Sequence, residues 1–322
     1  ADTITGDGGV DTITGGGGVD TITGAAGADV IDGGAGNDIF KYSTTALLVD
    51  SNALVDSLTG GDGTDTIQLT AATGTTLTLA STDLIEARMA TMESITAGVS
   101  AGVLSITASA ALGTDGVLTI DLSGDTSATG ANIIDVSNDD GSETWTLTGS
   151  AGADTITGDG GVDTITGGGG IDTITGAAGA DVIDGGAGND IFKYSTTALL
   201  VDSNALVDSL TGGDGTDTIQ LTAATGTTLT LASTDLIEAR MATMESITAG
   251  VSAGVLSITA SAALGTDGVL TIDLSGDTSA TGANIIDVSN DDGSETWTLT
   301  GSAGADTITG DGGVDTITGG GG

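Results

Sequence analysis

The 322-residue chain has no histidine, no cysteine and no proline, and only four basic residues against 45 acidic ones. Each absence excludes something. Without cysteine there are no disulfides and no thiolate metal sites, and redox compartment cannot be read from cysteine usage. Without histidine or cysteine the usual nucleophile and general-base constellations are missing, and the only cationic side chains are Lys41, Arg88, Lys193 and Arg240. Paired carboxylates abound, but a general acid of raised pKa needs a pocket that a thin repetitive chain lacks. No enzymatic activity is expected. Four basic residues cannot neutralise a row of phosphates, which excludes nucleic acid as a partner. No apolar run approaches the roughly 18 residues needed to span a bilayer, and no basic amphipathic face exists, so no membrane insertion is expected. There is no initiator methionine and no signal peptide, and the chain starts and stops inside a repeat. It reads as an excerpt from, or a processed part of, something longer.

What is present is charge and order. A net charge of −41 makes any compact state repel itself unless cations sit between the carboxylates. Disorder is disfavoured, because the acidic residues alternate with Ile, Val, Leu and Thr, which favour strands. The stretch GVDTITGGGGVDTITGAAGADVIDGGAGND, residues 9–38, shows the pattern. Asp2, Asp11, Asp20, Asp29 and Asp38 stand nine residues apart, each after a glycine-rich turn and before a strand-like triplet. Neither the 3.6-residue period of a helix nor the 2-residue period of a strand gives nine, so the period itself is structural.

A longer period contains the shorter one. ADTITG at residues 1–6 returns at 153–158 and again at 305–310, and the first two copies differ only at Val19 against Ile171. The expected domains are therefore tandem units 1–152 and 153–304, with the start of a third at 305–322, stacked as a quasi-one-dimensional array. Within a unit, nonapeptides fill 1–41 and resume at 60–68 after an interruption over 42–59. Residues 69–148 lose the nine-residue period but keep short strand-like pieces at 76–80, 94–99, 103–110, 116–123, 132–137 and 144–148. Only 83–92 reads as a short helix. These pieces are taken as longer, irregular coils of the same solenoid, with a flatter β-sandwich as the alternative.

The nonapeptides fit Gly-Gly-x-Gly-x-Asp-x-U-x, with U a large apolar residue, and so resemble the RTX, or haemolysin-type, calcium-binding repeats of secreted bacterial proteins. The resemblance covers 1–41, 60–68, 149–193, 212–220 and 301–322. It implies an all-β, right-handed parallel β-roll or β-helix solenoid in which regular calcium-binding nonapeptide coils alternate with irregular longer coils. Calcium takes six to eight oxygens at about 2.3–2.6 Å, more than one turn supplies. In the family a site is closed by alternate turns, two nonapeptides apart. That carry-over puts Asp2, Asp20 and Asp38 on one edge and Asp11 and Asp29 on the other. The carbonyls of Gly6, Gly8, Gly15, Gly17, Gly24 and Gly33 are further ligands, and Asp65 with Gly60 belongs to a later site. The second copy supplies Asp154, Asp163, Asp172, Asp181, Asp190 and Asp217 with Gly158, Gly160, Gly167, Gly169, Gly176, Gly185 and Gly212. The third begins with Asp306 and Asp315. Asp7, Asp62, Asp139 and Asp140 are additional candidates. Ala25 and Ala26, and Ser150 and Ala151, depart from the glycine pattern; a left-handed turn costs Ala about 1 kcal/mol more than Gly, so these sites are expected to be looser. The alternative, a plain β-solenoid in which Asp-Gly merely marks turns, does not explain five aspartates in phase with almost no countercharge.

The apolar position is the core: Ile4, Ile13, Ile22, Ile31 and Phe40 point inward, one per nonapeptide. One large side chain does not offset the entropy of ordering nine residues, so calcium is expected to drive folding. Met89, Met92 and Trp145 are read as packing residues, and Phe40-Lys41-Tyr42 as a plug ending a run of coils. The resemblance also implies a bacterial chain at the cell surface or outside it, exported by a type I system unfolded and folding in millimolar calcium. Three roles fit. The first is a self-associating filament, sheath or surface-layer component, since identical copies repeat the same contact. The second is the calcium-stiffened stalk of an adhesin. The third is ice binding by outward rows such as Thr3, Thr5, Thr12, Thr14, Thr21 and Thr23. One unit, at about 4.8 Å for each coil of two nonapeptides, would span about 40 Å.

Overall fold

The computed structural model describes residues 1–43, 49–50, 53–70, 75–78, 89–97, 103–109, 119–138, 143–195, 201–202, 205–222, 227–231, 241–249, 256–260, 271–278, 283–290 and 296–322. The chain divides into two compact units, Ala1–Gly170 and Ile171–Gly322. Every regular element among the described residues is a β-strand.

In the first unit one wall is a parallel ladder. It runs Thr3–Thr5, Thr21–Thr23, Ile39–Tyr42, Thr66–Leu69, Ser94–Ala97, Thr119–Asp121, Thr146–Thr148 and Thr164–Gly169. The other wall is made of two parallel ladders. Thr12–Gly17, Val30–Ala35, Ser57–Asp62 and Met89–Ala90 form one. Thr75–Thr78, Leu104–Ser109, Ile133–Asn138 and Thr155–Thr157 form the other. The chain crosses from wall to wall at each glycine-rich turn, so consecutive nonapeptides face each other and alternate ones pair.

The triplet Thr-Ile-Thr explains the strands. Alternation sends Ile inward and both Thr outward, and parallel in-register pairing stacks the inward residues in columns. Ile4, Ile22, Phe40, Ile67, Ile95, Ile120, Leu147 and Ile165 form one such column. All but Ile4, on the first strand, are essentially buried. Phe40 sits between Ile22 and Ile67, and Tyr42 pairs with Leu69. The aromatic pair therefore does not plug an end; it fills the middle of the column, where the coil lengthens. Met92 and Trp145 are fully buried packing residues.

Rung spacing records the two kinds of coil. Successive strands of the first wall begin at positions 3, 21, 39, 66, 94, 119, 146 and 164. The first two steps and the last are two nonapeptides long; those between are longer by about one nonapeptide. Thus the described strands within 69–148 are rungs of longer coils of the same solenoid, paired in line with the nonapeptide rungs, and not of a separate sandwich. Most of the expected helix lies outside the described residues; where its end is described, Met89 and Ala90 pair with Leu58 and Thr59 as strand.

These lengths change walls. Thr3–Thr5 lies in the first wall, while its sequence copy Thr155–Thr157 lies in the second. Thr12–Gly17 lies in the second, while its copy Thr164–Gly169 pairs with Thr146–Thr148 in the first. One sequence period therefore contains a whole number of coils plus a half.

The second unit is built alike. One parallel ladder runs Thr173–Thr175, Ile191–Tyr194, Thr218–Leu221, Ser246–Ala249, Thr271–Asp273, Thr298–Thr300 and Thr316–Thr318. Against it stand Val182–Ala187, Ser209–Asp214 and Met241–Ala242, then Thr227–Leu231, Leu256–Ala260, Ile285–Asp287 and Thr307–Thr309.

Candidate metal centre

Between each turn and the strand that follows stands an aspartate, and the coil pairing fixes what its first oxygen does. The backbone N–H of Asp2 donates to Asp20 Oδ1 at 2.5 Å, that of Asp20 to Asp38 at 2.8 Å, and that of Asp38 to Asp65 at 2.7 Å. Asp65 in turn donates to Glu93 Oε2 at 2.6 Å. On the other edge Asp11 donates to Asp29 Oδ1 at 2.8 Å and Asp29 to Asp56 at 2.9 Å. In the second unit the same bonds run from Asp172 to Asp190, from Asp190 to Asp217 and from Asp217 to Glu245.

The second oxygen is different. Asp20, Asp29, Asp38 and Asp65 are at most 1% exposed, and the Oδ2 of each is buried with no hydrogen-bond donor. Asp190 and Asp217 repeat this in the second unit. A buried carboxylate oxygen left without a partner is costly, and four in one unit make a row that favours positive charge.

Asp20, Asp38, Asp65 and Asp190 each face a glycine and a carbonyl, whereas Asp29 Oδ2 faces Gly24 with the Ile31 side chain beside it. A methyl group placed on Gly33 would sit 2.5 Å from Asp38 Oδ2 and 2.7 Å from the Gly60 carbonyl oxygen. On Gly15 it would sit 2.8 Å from Asp20 Oδ2 and 2.5 Å from the Gly33 oxygen. Gly6 faces Asp11 Oδ2 and the Gly24 oxygen, and Gly60 faces Asp65 Oδ2 and the Thr91 oxygen. In the second unit Gly185 faces Asp190 Oδ2 and the Gly212 oxygen. Any side chain there would fill the space. Gly16, Gly18, Gly34 and Gly36 take φ between +101° and +136°, the left-handed turns that bring these carbonyls round. Gly8 and Gly17 have open space on the Cβ side.

Burial raises Asp65, Asp154, Asp190 and Asp217, with Glu93 and Glu245, above their ordinary values, against the lowering effect of the backbone N–H donors.

The remaining sequence candidates are spread out. Asp163, Asp172 and Asp181 are buried in the same register position, whereas Asp2, Asp7 and Asp62 are exposed. Asp306 and Asp315, near the last rung, are half-buried. Asp139 and Asp140 lie outside the described residues. Among the described residues no three acidic side chains converge in one cage; the open oxygens of Asp20, Asp38, Asp65 and Asp190 each lie beside a backbone carbonyl. That is a hard, oxygen-only donor set, suited to calcium and unsuited to zinc or copper. The ladder residues Asp56, Glu93 and Asn132 escape the sequence reading. Asp56 had a signal, since it lies three nonapeptide lengths after Asp29 and starts Asp-Ser-Leu-Thr-Gly-Gly, an echo of Asp11-Thr-Ile-Thr-Gly-Gly.

Residues 5–40, 53–70, 146–174, 157–192, 205–222 and 298–322 match the RTX calcium-binding nonapeptide repeat. The nonapeptide coils are RTX repeats. RTX repeats bind calcium and form β-rolls, they are typically non-enzymatic, and they typically occur in secreted or surface-associated bacterial proteins. The matched stretches take in 53–59, the segment of Asp56, which the sequence reading left inside the interruption over 42–59. Comparison with curated proteins gave no match. Among the described residues no helix is long and apolar enough to cross a membrane.

Proposed function

We propose that the chain is a calcium-stiffened structural protein of an extracellular filament, sheath or surface layer, and that its tandem units are the repeated building element. The observation that carries this reading is the row of buried, donor-free Oδ2 atoms of Asp20, Asp29, Asp38 and Asp65 in a chain of net charge −41. Those carboxylates, with the carbonyls of Gly33, Gly60 and Thr91 beside Asp20, Asp38 and Asp65, would hold the ions. Asp172, Asp181, Asp190 and Asp217 would do so in the second copy. Bound calcium supplies the missing positive charge and ties turns on neighbouring rungs together. Since it binds the folded coil and not the open chain, it stabilises the fold by mass action.

Self-association is the finer part of the reading. Copies that differ only at Val19 against Ile171 present the same contact repeatedly, as a fibre or lattice requires. Ice binding is disfavoured, because the outward row Thr5, Thr23, Lys41, Gln68, Thr96, Asp121 is broken by a cation, an amide and a carboxylate.

The experiment is electron microscopy of the chelated protein before and after millimolar calcium. Ordered fibres or sheets that form with calcium support the structural role. Separate stiff rods replace it with a stalk.

A further inference from the structure

The ladder carboxylates differ in what Oδ2 accepts, and those of Asp11 and Asp163 take a backbone N–H, from Asp7 and Asp159, at 2.8 and 3.2 Å. Asp20, Asp29, Asp38 and Asp65 leave Oδ2 buried without a donor. Asp154 and Asp306, in the same register position, do not. The Ser150 backbone N–H and hydroxyl both donate to Asp154 Oδ2, at 2.5 and 2.8 Å, while Asp154 Oδ1 accepts the Asn132 N–H at 2.8 Å. The second unit repeats this independently: the Ser302 N–H and hydroxyl donate to Asp306 Oδ2 at 2.6 and 3.0 Å, and Asn284 N–H donates to Oδ1 at 3.0 Å. Ser150 and Ser302 are almost fully buried, and each hydroxyl also accepts a backbone N–H, from Gly152 and Gly304, at 3.1 Å. Serine stands here where Gly16, Gly34 and Gly61 stand in the other turns.

Asp56 shows the same substitution by another residue. Its Oδ1 accepts the Asp29 N–H, and its Oδ2 accepts the Tyr42 hydroxyl at 2.7 Å, with both side chains buried. Tyr194 donates to Asp208 at 2.6 Å. Burial and the neighbouring carboxylate keep both phenols protonated, hence donors.

We propose that in these coils a side-chain hydroxyl takes the place of the cation: Ser150 at Asp154, Ser302 at Asp306, Tyr42 at Asp56 and Tyr194 at Asp208. Calcium then enters each repeat only at the donor-free carboxylates, and the hydroxyl-held coils close without it. The sequence expectation that Asp154 and Asp306 ligate calcium in a looser site is thereby replaced. The physical ground is that a donor pair already satisfies the buried oxygen, so an ion would have to displace two hydrogen bonds, one of them from a backbone amide that cannot turn away. Each repeat thus begins with a calcium-independent coil on which the calcium-dependent coils stack.

The inference rests on the calcium reading above, and the test separates the two. Bound calcium at saturation is measured by equilibrium dialysis for the wild type, for Ser150→Gly/Ser302→Gly and for Asp38→Asn/Asp190→Asn. Glycine restores the regular turn, so the first variant is expected to show a higher calcium-to-protein ratio than wild type; an unchanged or lower ratio overturns the hydroxyl substitution. The second variant is expected to bind less; an unchanged ratio there overturns the calcium reading itself. Hydrogen exchange in excess chelator gives a readout independent of calcium counting. Amides over 145–157 should exchange more slowly than those over 20–42 in the wild type, and Ser150→Gly/Ser302→Gly should remove the difference. Equal exchange in the wild type overturns the proposal.

Discussion

Asp38 is held by one oxygen and open at the other: Oδ1 accepts the backbone N–H of Asp20 at 2.8 Å, one coil earlier, while Oδ2 is buried with no donor. One oxygen joins the coils, and the other asks for a cation. Removing calcium is therefore expected to open the nonapeptide coils and restoring it to close them. Far-UV circular dichroism against calcium concentration should show a steep gain of β signal; a full β spectrum in excess chelator would contradict this.

Acidification should partly replace calcium. Burial raises Asp65, Asp190 and Asp217 and, beside them, Glu93 and Glu245. The calcium-free fold thus holds protons that the unfolded chain has already released. Its stability from these groups is present at low pH and is lost as pH rises through the raised values. In chelator the β signal should grow as pH falls from 7 towards the ordinary carboxylate range, at about 4. With calcium present the order reverses, because protons compete for the same oxygens.

Ala25 and Ala177 both take φ of +73°, where a Cβ is strained. Ala25→Gly and Ala177→Gly should each stabilise the calcium-loaded protein by about 1 kcal/mol, visible as a higher denaturant midpoint.

Tyr42→Phe removes the donor to Asp56 Oδ2 and nothing else. A buried hydrogen bond to a charged group is worth about 1.5–3 kcal/mol, so the variant should unfold at lower denaturant. An unchanged midpoint would mean that the hydroxyl is idle.

The wall switch has a direct check, helped by the absence of native cysteine. Asp135 pairs with Thr157 on one wall and Thr148 with Thr166 on the other. Neighbouring strands lie about 4.8 Å apart, within disulfide reach. Asp135→Cys/Thr157→Cys should cross-link under mild oxidation, whereas Thr148→Cys/Thr157→Cys, a single nonapeptide apart, should not.

The nonapeptide coils were legible because their determinants are local. Three strand residues, a glycine turn and an aspartate recur within nine positions, so the inward Ile22 and Ile31 follow from spacing, while the edge grouping of Asp20 with Asp38 followed from the resemblance to RTX repeats. Asp56 keeps the nine-residue phase but was obscured because no glycine-rich turn precedes it, residues 51–55 being SNALV. Glu93 and Asn132 carried no signal, since a longer or neutral side chain takes the aspartate's place only because the coil pairing delivers it there.

By itself, the sequence determined the repeat, the inward apolar column and the surplus of negative charge. Each follows from residue type at fixed short spacing. Only the tertiary structure decided which carboxylate oxygens are left open, at Asp38, and which are already taken, at Asp154 by Ser150. It alone decided which wall each tandem copy faces, because that depends on how much chain the irregular coils consume before they return to pair. Both are long-range consequences of stacking, and no single nonapeptide contains them.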